Sequence, residues 1–169
     1  MLAPLSGNWE VNLKNELCLD ILTQVLDIRY TKSIREEKGG TYGVGVSGQL
    51  SSLPEVPDYL VLMNFDTNTE MAEELSGMLL PEIEKIAAEG PAAEDLAKIK
   101  EYMLKTHADN LKQNSPWLGW LRSAHTTGID YVSGYTEVVE GISADDIKAV
   151  AAKLLADGNQ LMFFMKPAE

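Results

Sequence analysis

With 169 residues, 45% of them hydrophobic, and a formal net charge of −12, the chain can bury a core but offers no basic footprint for nucleic acid or an anionic membrane surface. Its 14 lysines and arginines are scattered singly, so no polynucleotide partner is expected. No apolar run approaches the roughly 18 residues of a membrane span, and residues 1–11 lack the basic and apolar regions of a secretory signal, which predicts a soluble chain with no membrane partner.

Residues 1–12 carry only fragments of a pattern, Leu5-Ser6-Gly7-Asn8-Trp9-Glu10 among them. Leu17, Cys18, Ile21, Leu22, Val25 and Ile28 then recur at helical spacing, predicting an amphipathic helix over residues 15–37. Gly39 and Gly40 stop it, because glycine accepts the left-handed backbone of a helix end. From Thr41 the period becomes two, with Tyr42, Val44 and Val46 on one face of a strand and Gly43, Gly45 and Ser47 on the other. That bare glycine face would admit a helix at close range.

Leu53-Pro54-Glu55-Val56-Pro57-Asp58 is a proline-punctuated turn, and residues 59–65 form an apolar run of strand length, so the pair is an antiparallel hairpin. Thr67 and Glu70 fit a capping box for a helix with the stripe Met71, Leu75, Met78, Leu79, Ile83 and Ile86, kinked or restarted at Pro81. After Gly90-Pro91, Leu96, Ile99, Met103, His107 and Leu111 mark a second long helix. Ser115-Pro116 opens a third, carrying Trp117, Leu118, Trp120, Leu121 and Ala124. A short helix over 131–139 follows, then one capped by Ser143 and Asp146 and ended by Asp157-Gly158. Residues 161–165 make a closing strand. The order predicts an α+β fold, a small, mainly antiparallel sheet with helices on one face, in a single domain over residues 1–169.

Most chemical motifs are absent or out of context. Gly43-Val44-Gly45-Val46-Ser47-Gly48 spells a dinucleotide fingerprint, but it lies inside a strand rather than between a strand and a helix. His107 and His125 are the only histidines and sit on different helices without metal-ligand spacing, so no metal is expected in this chain. His107 falls on an apolar helix face, as a core histidine does, and Cys18 is a packed thiol on the first stripe. Trp117, Trp120, Tyr131 and Tyr135 form an aromatic group suited to an interdomain contact.

The stretch Ile34-Arg35-Glu36-Glu37-Lys38-Gly39-Gly40-Thr41-Tyr42 joins a cation at a helix end to a phenol at a strand start through two glycines. By composition alone Arg35 would pair with Glu36 or Glu37, and Tyr42 would pack on the sheet. The stretch also resembles the C-terminal half of the pitrilysin, insulin-degrading enzyme and mitochondrial processing peptidase family of inverted-motif zinc peptidases (inverzincins). The likeness extends through the paired helices at 68–89 and 94–110, the helix start Ile142-Ser143-Ala144-Asp145-Asp146-Ile147, and Phe163-Phe164-Met165-Lys166-Pro167.

The resemblance implies the fold of a processing-peptidase-like metallohydrolase domain, excised from a larger cytoplasmic or periplasmic zinc metalloendopeptidase. Its zinc would sit in an H-x-x-E-H motif of an N-terminal domain, and this chain would close a clamshell over a peptide substrate without cleaving peptides alone. Its partners would be that peptide and the upstream domains. Arg35 would bind a substrate backbone carbonyl, and Tyr42 would bind substrate and stabilise the scissile carbonyl oxygen. A noncatalytic structural or peptide-binding subunit of the same fold is the alternative. Family domains begin with a strand that is not evident in residues 1–12, so the chain is expected to lack its first strand and to expose a sheet edge open to self-association.

Overall fold

The computed structural model describes residues 1–51 and 58–166. The fold is α+β. Its elements run β1 (Leu2–Asn8), α1 (Leu13–Tyr30), a π-helical segment (Thr31–Glu37), β2 (Val44–Ser51), β3 (Asp58–Phe65), α2 (Ala72–Ser76) and α3 (Leu79–Glu89). They continue with α4 (Ala93–Asn110), α5 (Asn114–Thr126), α6 (Tyr135–Gly141), α7 (Ala144–Asp157) and β4 (Asn159–Gln160). The four strands form one antiparallel sheet in the order β2-β3-β1-β4.

The expectation of a missing first strand is therefore corrected. β1 pairs with β3 along its whole length, from Leu2 opposite Asn64 to Asn8 opposite Asp58, and with β4 on its other side. Its inward residues include Ala3 and Gly7, which give almost no apolar alternation to read. A side chain at Gly7 would collide with the Asp157 carboxylate and the Tyr59 ring. Pro4 also argues against an interior strand, since it removes a ladder donor. That gap faces the thin β4 side, where the Pro4 carbonyl accepts from Leu161 N at 3.2 Å. With β1 in place there is no vacant slot for self-association, and the sheet's edges are β2 and β4.

The inward face of the sheet, with Leu5, Tyr59, Val61, Met63 and Phe65, shares one core with α1, α3 and α7. Outward residues such as Ser6, Ser47, Asp58 and Asn64 are exposed. α1 touches β2, α3, α4, α6 and α7, so it is buried on more sides than a simple stripe provides, though Ile28 is 42% exposed. Gly48 is where α1 comes closest to β2: an added Cβ would stand 2.9 Å from Thr23 Cγ2 and 3.0 Å from Leu19 Cγ. The glycine that admits the helix thus lies on the Val44 and Val46 face, not on the Gly43 and Gly45 face.

Several boundaries move by a few residues. β2 starts at Val44, leaving Thr41 and Tyr42 outside it, and the C-terminal pairing comprises β4 plus an isolated bridge from Leu2 to Phe163. α5 begins at Asn114, ahead of Ser115-Pro116. The helix after β3 is capped by Asn68, whose Oδ1 accepts from Met71 N at 2.8 Å, because Thr67 is engaged elsewhere. It breaks at Gly77 and Met78 and restarts as α3, which carries Pro81 in its first turn. Ser143 and Asp146 form the expected capping box, and Gly158 is left-handed at φ 65°. Residues 53–57 of the expected turn, and Pro167, lie outside the described residues. No helix among the described residues is long and apolar enough to cross a membrane.

Candidate functional site

Burial of Ile34 fixes the orientation of the π-helical segment. With Ile34 fully buried and the Ser33 hydroxyl donating to Arg29 O at 2.9 Å, Arg35, Glu36 and Glu37 face solvent. Arg35 forms no ion pair with Glu36, Glu37 or any other described residue, so its donors are uncommitted. The Arg35 carbonyl accepts from Gly39 N at 3.1 Å, closing the helical turn.

The double glycine then does two different things. Gly39 turns the chain at φ 65°, a region that L side chains rarely occupy. Gly40 is needed for space: a Cβ there would stand 2.5 Å from Leu75 Cδ1 and 2.8 Å from Met71 Cε. The Gly40 carbonyl accepts from Thr67 Oγ1 at 2.5 Å, and Lys38 Nζ pairs with Glu74 Oε1 at 2.6 Å. Thr41 Oγ1 donates to Gly43 O at 2.9 Å and accepts from Gly43 N at 3.2 Å. The loop is thus clamped to α2 and to the segment after β3.

Tyr42 stands on this clamped loop with 98% of its surface exposed, rather than packed on the sheet. Its hydroxyl has no hydrogen-bond partner among the described residues. Two residues on, Val44 is buried opposite Phe65, so the strand takes over immediately behind the phenol. Tyr42 borders an open depression of about 490 Å³ lined by Gly39, Gly40, Thr41, Asp66, Thr67 and Asn68. Arg35 does not line it. The polar run Asp66-Thr67-Asn68 after an apolar strand is the sequence signal for these extra lining residues.

The other candidate side chains are placed differently. Among the described residues, no three His, Cys, Asp or Glu side chains gather where they could hold a metal ion. His107 is 7% exposed and stacks on Tyr135, with ring centroids 3.9 Å apart, while His125 is exposed. The aromatic group is real, with Trp117 and Trp120 edge to face at 5.7 Å, yet α5 buries none of its residues fully.

The family model of the peptidase M16 inactive domain matches residues 4–103. A zinc protease PQQL-like protein of Arabidopsis thaliana is 29% identical over 105 residues, covering 60% of this chain and 11% of that protein. The chain therefore spans a small fraction of that relative. The periplasmic protease PqqL from Escherichia coli has a similar structure, with a TM-score of 0.74 at 16% identity over 90% of this chain and 18% of that one. A peptidase M16 inactive domain from Pseudomonas fluorescens gives 0.71 at 16% identity, over 90% and 37% of the respective chains. These two likenesses speak to the fold, whereas the family match spans most of the sheet, α1 and the Arg35 to Tyr42 segment. The chain belongs to the peptidase M16 inactive-domain family.

Proposed function

We propose that this chain is the substrate-binding, clamshell-closing C-terminal domain of a zinc metalloendopeptidase. The observation that carries the reading is Tyr42: a phenol that is almost wholly exposed, with an unspent hydroxyl, on a loop clamped through Gly40, Thr67 and Lys38. An exposed aromatic ring on a fixed support is poorly explained by packing and well suited to a ligand brought from outside. Zinc, held by another domain, would supply the activated water. In that setting Tyr42 donates its hydroxyl proton in a hydrogen bond to the scissile carbonyl oxygen, where negative charge develops, and Arg35 donates to a backbone carbonyl of the same peptide. The partners are accordingly a peptide substrate and the upstream domains of the same protease.

The test is Tyr42→Phe in the full-length protease. Loss of one oxyanion donor lowers kcat by about 10²- to 10³-fold with KM little changed. Equal activity of wild type and variant would instead make this a structural or peptide-binding subunit, and a rise in KM alone would reduce Tyr42 to a binding contact.

A further inference from the structure

A second hollow shares no lining residue with the depression beside Tyr42. It is a cavity of about 440 Å³ between α1, α4, α5 and α6, lined by Asp20, Gln24, Tyr102, His107, Trp120 and Tyr135 among others. A smaller hollow of about 270 Å³ shares Leu17, Asp20 and Tyr131 with it and runs to Gly48, Gln49 and Leu50 on the edge strand β2. Asp20 therefore stands where the two meet, in a continuous trough.

Its walls are aromatic and mutually braced. His107 and Tyr135 stack at 3.9 Å with their planes 11° apart, and Trp120 lies 5.3 Å from His107. Its charge is negative throughout. Asp20 and Glu16 line the trough, and no lysine or arginine does. The Glu16 carboxylate is already occupied by the Tyr131 hydroxyl. Asp20 forms no ion pair among the described residues; the Gln24 side chain, one turn along α1, hydrogen-bonds its carboxylate, and its charge is felt by Tyr135. His107 supplies no counter-charge, since burial lowers its pKa and keeps the ring neutral. Asp20 keeps solvent-accessible surface in the trough, so an incoming cation can reach its carboxylate, and the surrounding protein, which raises the Asp20 pKa, strengthens that attraction relative to open water.

We propose that this trough binds the guanidinium of an arginine side chain on an extended polypeptide, with Asp20 as counter-ion and the rings of Trp120 and Tyr135 as its walls. A flat cation fits the site better than a compact one, because guanidinium stacks on aromatic faces and meets a carboxylate with two parallel donors. The extension toward β2 gives the rest of the polypeptide a place to lie, and the net charge of −12 attracts a basic segment from solution.

The probe is N-acetyl-arginine amide, titrated into the isotopically labelled chain while the Trp120 indole N–H resonance is followed by NMR, alongside N-acetyl-citrulline amide. Citrulline keeps the shape and removes the charge. The expected result is saturable binding of the arginine compound, on the order of 1–10 mM for so small a ligand, about tenfold tighter than citrulline. Asp20→Asn and Gln24→Lys should each weaken it about tenfold with an unchanged circular dichroism spectrum, the second by placing a resident ammonium in the trough. A pentapeptide with arginine between alanines should bind at least threefold tighter than the amide. Equal binding of citrulline, or full binding by both variants, or no Trp120 response to 50 mM ligand, overturns the cation site, and equal binding of the pentapeptide overturns the polypeptide occupant.

Discussion

Tyr59 donates its hydroxyl proton to Asp157 Oδ2 across 2.8 Å, tying the middle of the sheet to the last residue of α7. Asp157 also accepts from Lys153 Nζ at 2.9 Å, and Trp9 packs edge to face on the Tyr59 ring at 6.3 Å. Tyr59→Phe keeps the ring and its packing while removing one of the two donors to the carboxylate. The expected loss is about 1 kcal/mol, read from the urea midpoint at constant m-value.

Asp146 makes folding sensitive to acid. The Lys14 ammonium, 2.7 Å away, and the Ser143 cap hold its pKa down to about 2, below the usual aspartate value. Because the folded value is the lower one, the stabilisation is present above about pH 4 and disappears as pH falls toward 2. With Lys14 half exposed to water, the contribution is about 1 kcal/mol. Asp146→Asn should therefore unfold at lower urea than wild type at pH 6, and the two curves should converge near pH 2; a constant gap would assign the effect to the cap alone.

Gly48 and Gly45 lie on the same strand but tolerate alanine differently. At Gly48 the new Cβ meets the Cγ2 methyl of Thr23 and the Cγ of Leu19, both on buried residues of α1. At Gly45 it meets only the amide of exposed Asn64, which can swing away. Gly48→Ala should destabilise by about 1–3 kcal/mol and Gly45→Ala by less than about 0.5 kcal/mol, compared in paired thermal melts.

Gly40→Ala disturbs the clamp under Tyr42. The methyl must displace Leu75, which is fully buried, or Met71, and the cost is about 1–2 kcal/mol. Tyr42→Phe, at a site 98% exposed, should leave the melting temperature within 1 °C of wild type by differential scanning calorimetry. A large drop for Tyr42→Phe would mean that the phenol holds the loop rather than facing a ligand.

The thiol of Cys18 should be chemically silent. It is 3% exposed, and burial with the nearby Asp146 charge pushes its pKa up to about 11. Ellman's reagent at pH 8 should react only as fast as the chain opens, and at the ordinary rate of a free thiol once urea is added.

Elements governed by local chemistry were legible in the sequence. The Ser143 and Asp146 cap, the Gly158 stop and the apolar spacing of α4 all act within a few residues, and each is found at its expected place. The α+β class and the hairpin of β2 and β3 followed from the same periodicities. β1 escaped because Leu5 is the one large residue on its inward face, flanked by Ala3 and by Gly7, where Asp157 and Tyr59, distant in sequence, leave no room for a side chain. Thr67 looks like a cap by spacing, but tertiary structure spends its hydroxyl on Gly40. Tyr42 was legible as a candidate and misplaced in register, since the Thr41 turn delays the strand to Val44. The Asp20 trough gave no sequence signal, being assembled from α1, α4, α5, α6 and the loop before α6.

The place of β1 between β3 and β4 also governs the order in which the molecule can assemble. Leu2 bonds in both directions with Phe163, so residues from opposite ends of the described chain close the sheet together. A nascent chain leaving the ribosome can form α1 and the β2–β3 hairpin early, but β1 must wait unpaired on its second side until residues 159–163 emerge. Such a high contact order slows folding and leaves an apolar strand edge open to chaperones during synthesis.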